Sequence, residues 1–153
     1  MFDLMPQHIL EVDEVLSKIV HAQIEYGIEG VTFLGGEPML QAKGLSKLAA
    51  ECLNLQLSVV VFTGYTLEYL QTCSMPGVLE LLKYVDLLID GPYIASMPEK
   101  ERNWVGSSNQ RFHFLSKRYS SSIERDPTYS HGFELRISLD GTLKSNGWPN
   151  QFD

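Results

Sequence analysis

The sequence contains little cysteine and a deficit of positive charge. Its two cysteines, Cys52 and Cys73, are too few and too far apart for a disulfide framework or a metal-binding pair, so both are expected to be reduced thiols. Lys and Arg number 12 against 19 Asp and Glu, for a formal charge of −7. Because binding to a phosphate backbone needs clustered basic side chains, we expect no nucleic-acid partner.

Long apolar runs are also lacking. No run approaches the ~20 residues of a membrane span, and no basic stretch precedes the first apolar residues, so no membrane partner and a cytoplasmic location are expected. The four histidines show no ligand spacing, and no metal ligand is assigned. The 153 residues suffice for a single domain. We divide it into a β/α core at 10–112 and a loop and hairpin extension at 113–153.

Helical and strand patterns alternate through the core. Apolar residues recur at helical spacing over residues 12–26 and 39–55, and shorter helices are predicted from Leu67 and from Val78. Strand-forming runs separate them, at residues 31–34, 57–62 and 86–90. This βαβαβ order predicts an α/β fold with a parallel sheet, whose helices cover both faces or, if the sheet curls, its outside.

The pattern changes after Pro92. Polar and turn-forming residues predict loop over much of the following segment. The alternating stretch FELRISL at 133–139, the turn Asp140-Gly141 and the segment TLKS then predict a carboxyl-terminal β-hairpin.

Glycine-bearing polar segments follow all three predicted strands. They are Gly35-Gly36-Glu37-Pro38, Thr63-Gly64-Tyr65 and Asp90-Gly91-Pro92. Since ligands bind at the carboxyl ends of parallel strands, these segments together predict a small-ligand pocket where bare backbone meets the ligand. Each segment alone is also compatible with an ordinary β-to-α turn. The spacing matches neither a phosphate loop nor the dinucleotide fingerprint.

A second polar concentration is WVGSSNQRF at 104–112. On its own it is compatible with a loop packed by Trp104 and Phe112.

Four motifs in order resemble the radical S-adenosylmethionine activating enzymes, in particular those that activate anaerobic ribonucleotide reductase. They are FLGGEP, VVVFTGYT, LLIDGPY and WVGSSNQR. The resemblance runs from about Leu10 to Phe112. It implies a partial (β/α) radical S-adenosylmethionine barrel and a glycyl radical enzyme as partner.

The resemblance also implies roles for individual residues. Gly35, Gly36 and Glu37, followed by Pro38, match the segment that holds the methionyl amino group of S-adenosylmethionine. Thr63 and Gly64 would lie beside the same cofactor, and Asp90 would support the pocket edge or make a polar contact. The matching tract, a candidate partner or substrate loop, comprises Gly106, Ser107, Ser108, Asn109, Gln110 and Arg111. No catalytic residue is assigned.

The cofactors implied are S-adenosylmethionine and a [4Fe-4S] cluster that reduces it. The family's cluster cysteines lie in a CxxxCxxC motif ahead of the first long helix, where this sequence reads MFDLMPQH. Cys52 and Cys73 do not replace them. The cluster ligands are therefore missing from this chain.

Three hypotheses follow. The chain is the shortened body of a radical activating enzyme, or it is a cluster-less binding or regulatory relative, or it is a flavodoxin-like doubly wound module. The last accounts for the βαβαβ order but not for GGEP together with GSSNQR. In a shortened sheet an unpaired parallel edge favours self-association, so a homo-oligomer is also expected.

The first two hypotheses predict different products in the cell. A shortened enzyme predicts a natural protein heavier than 17.3 kDa that carries CxxxCxxC, whereas a cluster-less relative predicts a product that starts at Met1. Intact mass spectrometry and amino-terminal sequencing of the protein from its own cell distinguish them.

Overall fold

A computed structural model describes residues 10–129, 133–137 and 143–147. The main sheet has four strands in the order β1, β2, β3, β4. They span Gly30–Phe33, Ser58–Phe62, Leu87–Asp90 and Arg111–Phe114. The first three are parallel, with Val31 beside Val59 and Val61 beside Leu88, which confirms the predicted α/β class and the parallel core.

The fourth strand runs antiparallel to β3, with Asp90 paired to Arg111. The sequence pattern predicted loop here, because RFHF is short and directly follows a polar turn. That expectation was wrong for 111–114. Its place in the sheet depends on a partner strand about twenty residues earlier, which local periodicity does not reveal.

The helices begin and end close to the predicted positions. They are α1 at Val12–Tyr26, α2 at Ala42–Asn54, α3 at Leu67–Thr72 and α4 at Val78–Leu82. The chain leaves α1 through Gly27, whose φ of 62° is left-handed and whose N–H bonds to the carbonyl of Gln23. Residues 39–41, expected as the first turn of α2, instead belong to a separate 3-10 helix at Pro38–Gln41. Two further 3-10 turns occupy Ser121–Glu124 and Pro127–Tyr129.

All four α-helices pack against one face of the sheet. Val59, Val61 and Leu88 point into this larger core, while Val60, Leu87 and Ile89 point to the opposite face. There a smaller cluster is covered by the chain after β3, with contributions from Val105, Phe112, Phe114 and Tyr119. The predicted arrangement with helices on both faces is therefore not observed, since the four α-helices share one face and the chain after β3 covers the other.

The predicted terminal hairpin is confirmed. Strands β5 at Phe133–Ile137 and β6 at Leu143–Gly147 pair antiparallel in a sheet of their own. The predicted Asp140-Gly141 turn lies outside the described residues, as do His8 and His131. Within the described part of the chain, no helix has the length and apolar character needed to cross a bilayer.

The contact between α2 and α4 depends on one glycine. Gly77 precedes α4 with a φ of 85°, and a Cβ there would lie 2.5 Å from the backbone nitrogen of Lys43. Gly44, inside α2, is different: a Cβ there would meet only Val12, at 3.9 Å.

We expect Gly77→Ala to lower the free energy of unfolding by at least about 2 kcal/mol, because it adds left-handed strain to a backbone clash. Gly44→Ala is the matched control and should raise stability by about 0.5–1 kcal/mol, as alanine favours helix. Urea denaturation of both variants measures the difference. Equal stability of Gly77→Ala and the parent chain would contradict this account of the α2 and α4 contact.

Candidate functional site

A cleft opens at the carboxyl ends of β1, β2 and β3. The residues that line it come from all three strand ends and from the turn before β4: Gly35, Gly36, Glu37, Phe62, Thr63, Gly64, Gly91, Tyr93 and Gln110. Parallel strands bring their carboxyl ends to one edge, so residues far apart in sequence meet here. Five of the sequence-predicted cofactor residues lie in its wall: Gly35, Gly36, Glu37, Thr63 and Gly64.

The carboxylate of Glu37 is held by three donors. Its Oε1 accepts hydrogen bonds from the Thr63 hydroxyl at 2.8 Å and from the Met39 N–H at 2.9 Å. Its Oε2 accepts one from the Gly64 N–H at 2.9 Å. A carboxylate has about four lone-pair positions, so acceptor capacity remains for a ligand. The arrangement fixes an anionic acceptor in the wall of the cleft.

The two glycines before Glu37 leave the backbone bare. Gly35 and Gly36 have φ values of 87° and 53°, and no atom of the described residues lies within 4 Å of where a Cβ would sit at either. Glycine adopts this left-handed conformation without strain, which turns the chain sharply after β1. Pro38 is buried at the start of the following 3-10 helix, where it supports the turn and stays out of the cleft wall.

Asp90 lies behind the cleft wall, with a side chain that is 0% exposed. The Arg111 guanidinium donates to both of its oxygens, at 3.0 and 2.6 Å, and the Leu67 N–H donates to Oδ2 at 2.7 Å. His113 Nε2 lies 2.9 Å from Oδ2, but without the alignment of a hydrogen bond.

Burial by itself raises the pKa of Asp90, but the hydrogen bonds from Arg111 and the Leu67 N–H outweigh it, and the net pKa is lowered. The same guanidinium donates to both oxygens of Glu68 on α3, at 2.9 and 2.7 Å, and this lowers the pKa of Glu68 to about 2. Both carboxylates bind protons more weakly in the folded protein. Their stabilisation is therefore present above the ordinary pKa of each carboxyl group and is lost as the pH falls below it, for Glu68 from about 4.5 toward 2.

The GSSNQR tract forms a tight turn against the end of β3. Gln110 accepts hydrogen bonds from the Gly106 and Ser107 N–H groups at 3.0 and 3.1 Å, and donates a long bond of 3.4 Å to the Gly91 carbonyl. Asn109 donates to the Pro92 carbonyl at 2.8 Å. Of residues 106–110, Gln110 lines the cleft, and these bonds hold it against the end of β3.

A guanidinium outside the tract holds this turn from behind. Arg102 donates to the carbonyls of Ser108 and Gln110 at 3.1 and 3.0 Å, and to Glu99 at 2.6 Å. It also lies over the ring of Phe112. Sequence reasoning gave no role to Arg102, because nothing in its local pattern distinguishes it from a surface arginine.

Gly91, from the predicted pocket segment Asp90-Gly91-Pro92, lines the cleft, whereas two other lining residues, Phe62 and Tyr93, were not predicted. The signal for Tyr93 was present, since it directly follows that segment after β3. Phe62 is the last residue of β2, and its position becomes evident only when the strand ends are aligned.

The described residues do not fit an iron-sulfur cluster. They contain no group of three or more His, Cys, Asp or Glu side chains that could hold a metal ion. Cys52 is buried and Cys73 is half-buried, with its thiol directed to the Leu70 carbonyl at 3.4 Å. A ligand with an ammonium group does fit, because Glu37 and the bare glycine backbone face open space.

Comparison with known proteins identifies the family. A family model described as "4Fe-4S single cluster domain" matches residues 5–113. The chain therefore belongs to the 4Fe-4S single cluster domain family, and the family inferred from the four motifs is confirmed.

Its curated relatives carry the name anaerobic ribonucleoside-triphosphate reductase-activating protein. The relative from Enterobacteria phage T4 is 35% identical over 88 residues, which is 55% of this chain and 52% of the relative. The relative from Escherichia coli is 26% identical over 109 residues, or 67% and 66% of the two chains. That from Vibrio cholerae is 28% identical over 107 residues, or 66% and 64%. The chain thus spans about half to two thirds of the length of these relatives. No solved structure matches it.

We expect the two carboxylates bound by Arg111 to differ in importance. Asp90→Asn should lower the free energy of unfolding by about 3 kcal/mol, because it removes the fully buried carboxylate charge that pairs with Arg111. Glu68→Gln removes the charge of the exposed carboxylate that binds the same guanidinium, and it should change the free energy of unfolding little. Urea denaturation at pH 7 tests both.

The Asp90→Asn variant should also lose less stability than the parent chain as the pH falls below the ordinary pKa of an aspartate, about 4. If Asp90→Asn is as stable as the parent chain, the ion pair between Asp90 and Arg111 does not contribute to the free energy of unfolding.

Proposed function

We propose that this chain is the S-adenosylmethionine-binding part of a radical activating enzyme that acts on a glycyl radical enzyme such as an anaerobic ribonucleotide reductase. The family, the names of the relatives and the four motifs support this function. Because the chain spans only part of those relatives, the activity, cofactor and partner of the whole protein are part of the proposal.

The observation that carries it is the anchored carboxylate of Glu37 beside two bare glycines. In this proposal the methionyl ammonium group binds Glu37 and the exposed backbone at Gly35 and Gly36. A charge-assisted hydrogen bond to a pre-positioned carboxylate is stronger than a bond between neutral groups. The Thr63 hydroxyl and the Gly64 N–H hold the carboxylate in the orientation that the ammonium group needs.

The remaining predicted residues shape the cleft. Asp90 holds Arg111 and the start of α3 behind it. The Gly106, Ser107, Ser108, Asn109, Gln110 and Arg111 tract is proposed as the partner or substrate loop, and Gln110 is its residue in the cleft wall. In such enzymes S-adenosylmethionine supplies the radical chemistry once a [4Fe-4S] cluster reduces it. The described residues do not fit that cluster, so for them the proposal is limited to binding and orientation.

A cluster-less binding or regulatory protein is the second candidate, favoured by the lack of a metal-ligand group among the described residues. It makes the same prediction for Glu37. It differs in iron content, since a working enzyme isolated without oxygen from its own cell carries about four iron atoms per chain in one [4Fe-4S] cluster. The homo-oligomer, the cytoplasmic location and the two-part division of the domain remain expectations.

We expect Glu37→Gln to weaken S-adenosylmethionine binding about 10-fold or more, because it removes the charge but keeps the shape of the side chain. Binding of 5′-methylthioadenosine, which lacks the amino acid portion, should not change. Isothermal titration calorimetry with both ligands measures the two affinities.

The control is Glu51→Gln, which neutralises an exposed glutamate of α2 whose carboxylate accepts a hydrogen bond from the Asn54 side chain. It should bind both ligands like the parent chain. A parent chain that does not bind S-adenosylmethionine, or a Glu37→Gln variant that binds it normally, would show that the proposal is wrong.

A further inference from the structure

Tyr93 differs from the other aromatic residues at this end of the molecule. Tyr65 stacks on Tyr69, and Trp104 meets the edge of Tyr129, each with ring centroids 5.2 Å apart. Among the ring contacts of the described residues Tyr93 takes part in none. Its side chain is 67% exposed although it lines the cleft. An aromatic face in a cleft, without an intramolecular partner, is available to a planar ligand.

The ring is nevertheless held in place. A Cβ added to Gly106 would lie 3.0 and 3.1 Å from two carbons of the Tyr93 ring, so the ring packs directly on the backbone of the 106–110 turn. That turn is itself fixed by Gln110 and Arg102. One side of the ring thus lies against a rigid support, and the glycine at 106 makes room for it.

Tyr93 lies at the strand end next to the anchored carboxylate. Although Glu37 follows β1, its carboxylate is bonded to Thr63 and Gly64 at the end of β2. Tyr93 follows β3, the adjacent strand. Both residues line the same cleft, so a ligand whose ammonium group binds Glu37 can place a planar group against the Tyr93 ring.

We infer that Tyr93 is the aromatic platform on which the purine base of the cleft's ligand stacks. The inference rests on the proposed function, which places a nucleoside-bearing ligand in the cleft. It extends that function, because it assigns the base end of the ligand to a residue outside the predicted site. Every base has a π-face, so stacking gives affinity without reading a particular base edge.

The test uses 5′-methylthioadenosine, which carries the base but no ammonium group. Tyr93→Leu should weaken its binding about 5- to 100-fold, the range for loss of one base stack, whereas Tyr93→Phe should retain it. The adenine H2 and H8 protons should shift upfield on binding to the parent chain and to Tyr93→Phe, and not to Tyr93→Leu. This ring-current signature distinguishes stacking from mere support of the turn.

Two further variants complete the test. Gly106→Ala should weaken 5′-methylthioadenosine binding, because its methyl group displaces the ring. Tyr26→Leu removes an equally exposed tyrosine at the end of α1 and is the matched control. Equal affinity of the parent chain and Tyr93→Leu, or a parent chain that does not bind 5′-methylthioadenosine, would overturn the inference.

The proposed function and this inference can fail separately. If Glu37→Gln leaves S-adenosylmethionine binding unchanged while Tyr93→Leu weakens 5′-methylthioadenosine binding, the proposed function is wrong and the purine platform stands. If Glu37→Gln weakens S-adenosylmethionine binding and Tyr93→Leu changes neither ligand, the proposed function stands and Tyr93 is not the platform.

Discussion

The buried carboxylate of Asp90 is the contact on which the rest of the cleft depends. It joins three segments that share no continuous chain: the end of β3, the start of α3 through the Leu67 N–H, and the start of β4 through Arg111. Burying a charge is costly unless it is paired and hydrogen-bonded, and here every bond that offsets the cost also fixes a neighbouring segment. Because β4 begins at Arg111, the turn before it is placed directly against Gly91.

A similar junction occurs at each strand end. Glu37 joins the end of β1 to the end of β2, and the Tyr65 carbonyl accepts the Gly91 N–H at 3.3 Å and so joins the ends of β2 and β3. Asp90 and Arg111 join β3 to β4. The floor of the cleft is therefore a series of cross-strand hydrogen bonds between polar groups. The glycines among them keep the space above free of side chains.

Much of this arrangement could be predicted from the sequence, since it rests on local patterns. Helical periodicity identified α1, and the β-branched run before Thr63 identified β2. The glycine-bearing strand ends indicated where a ligand would bind. The antiparallel strand β4 could not be predicted in this way, because RFHF becomes a strand only through its pairing with β3. The same limit applies to Asp90, whose burial depends on an arginine 21 residues later in the chain.

Contacts across the cleft join residues that are far apart in the sequence, and this has a consequence for folding. Glu37 meets Thr63 across 26 residues, and Arg111 meets Glu68 across 43. Such contacts form only after the entropy of closing long loops has been overcome, so they tend to appear late. The residues that line the cleft come from three strand ends and from the turn before β4, so no single described helix or strand supplies it. Its walls come together only when the strands pair, and a partly folded chain would not compete for a ligand of the cleft.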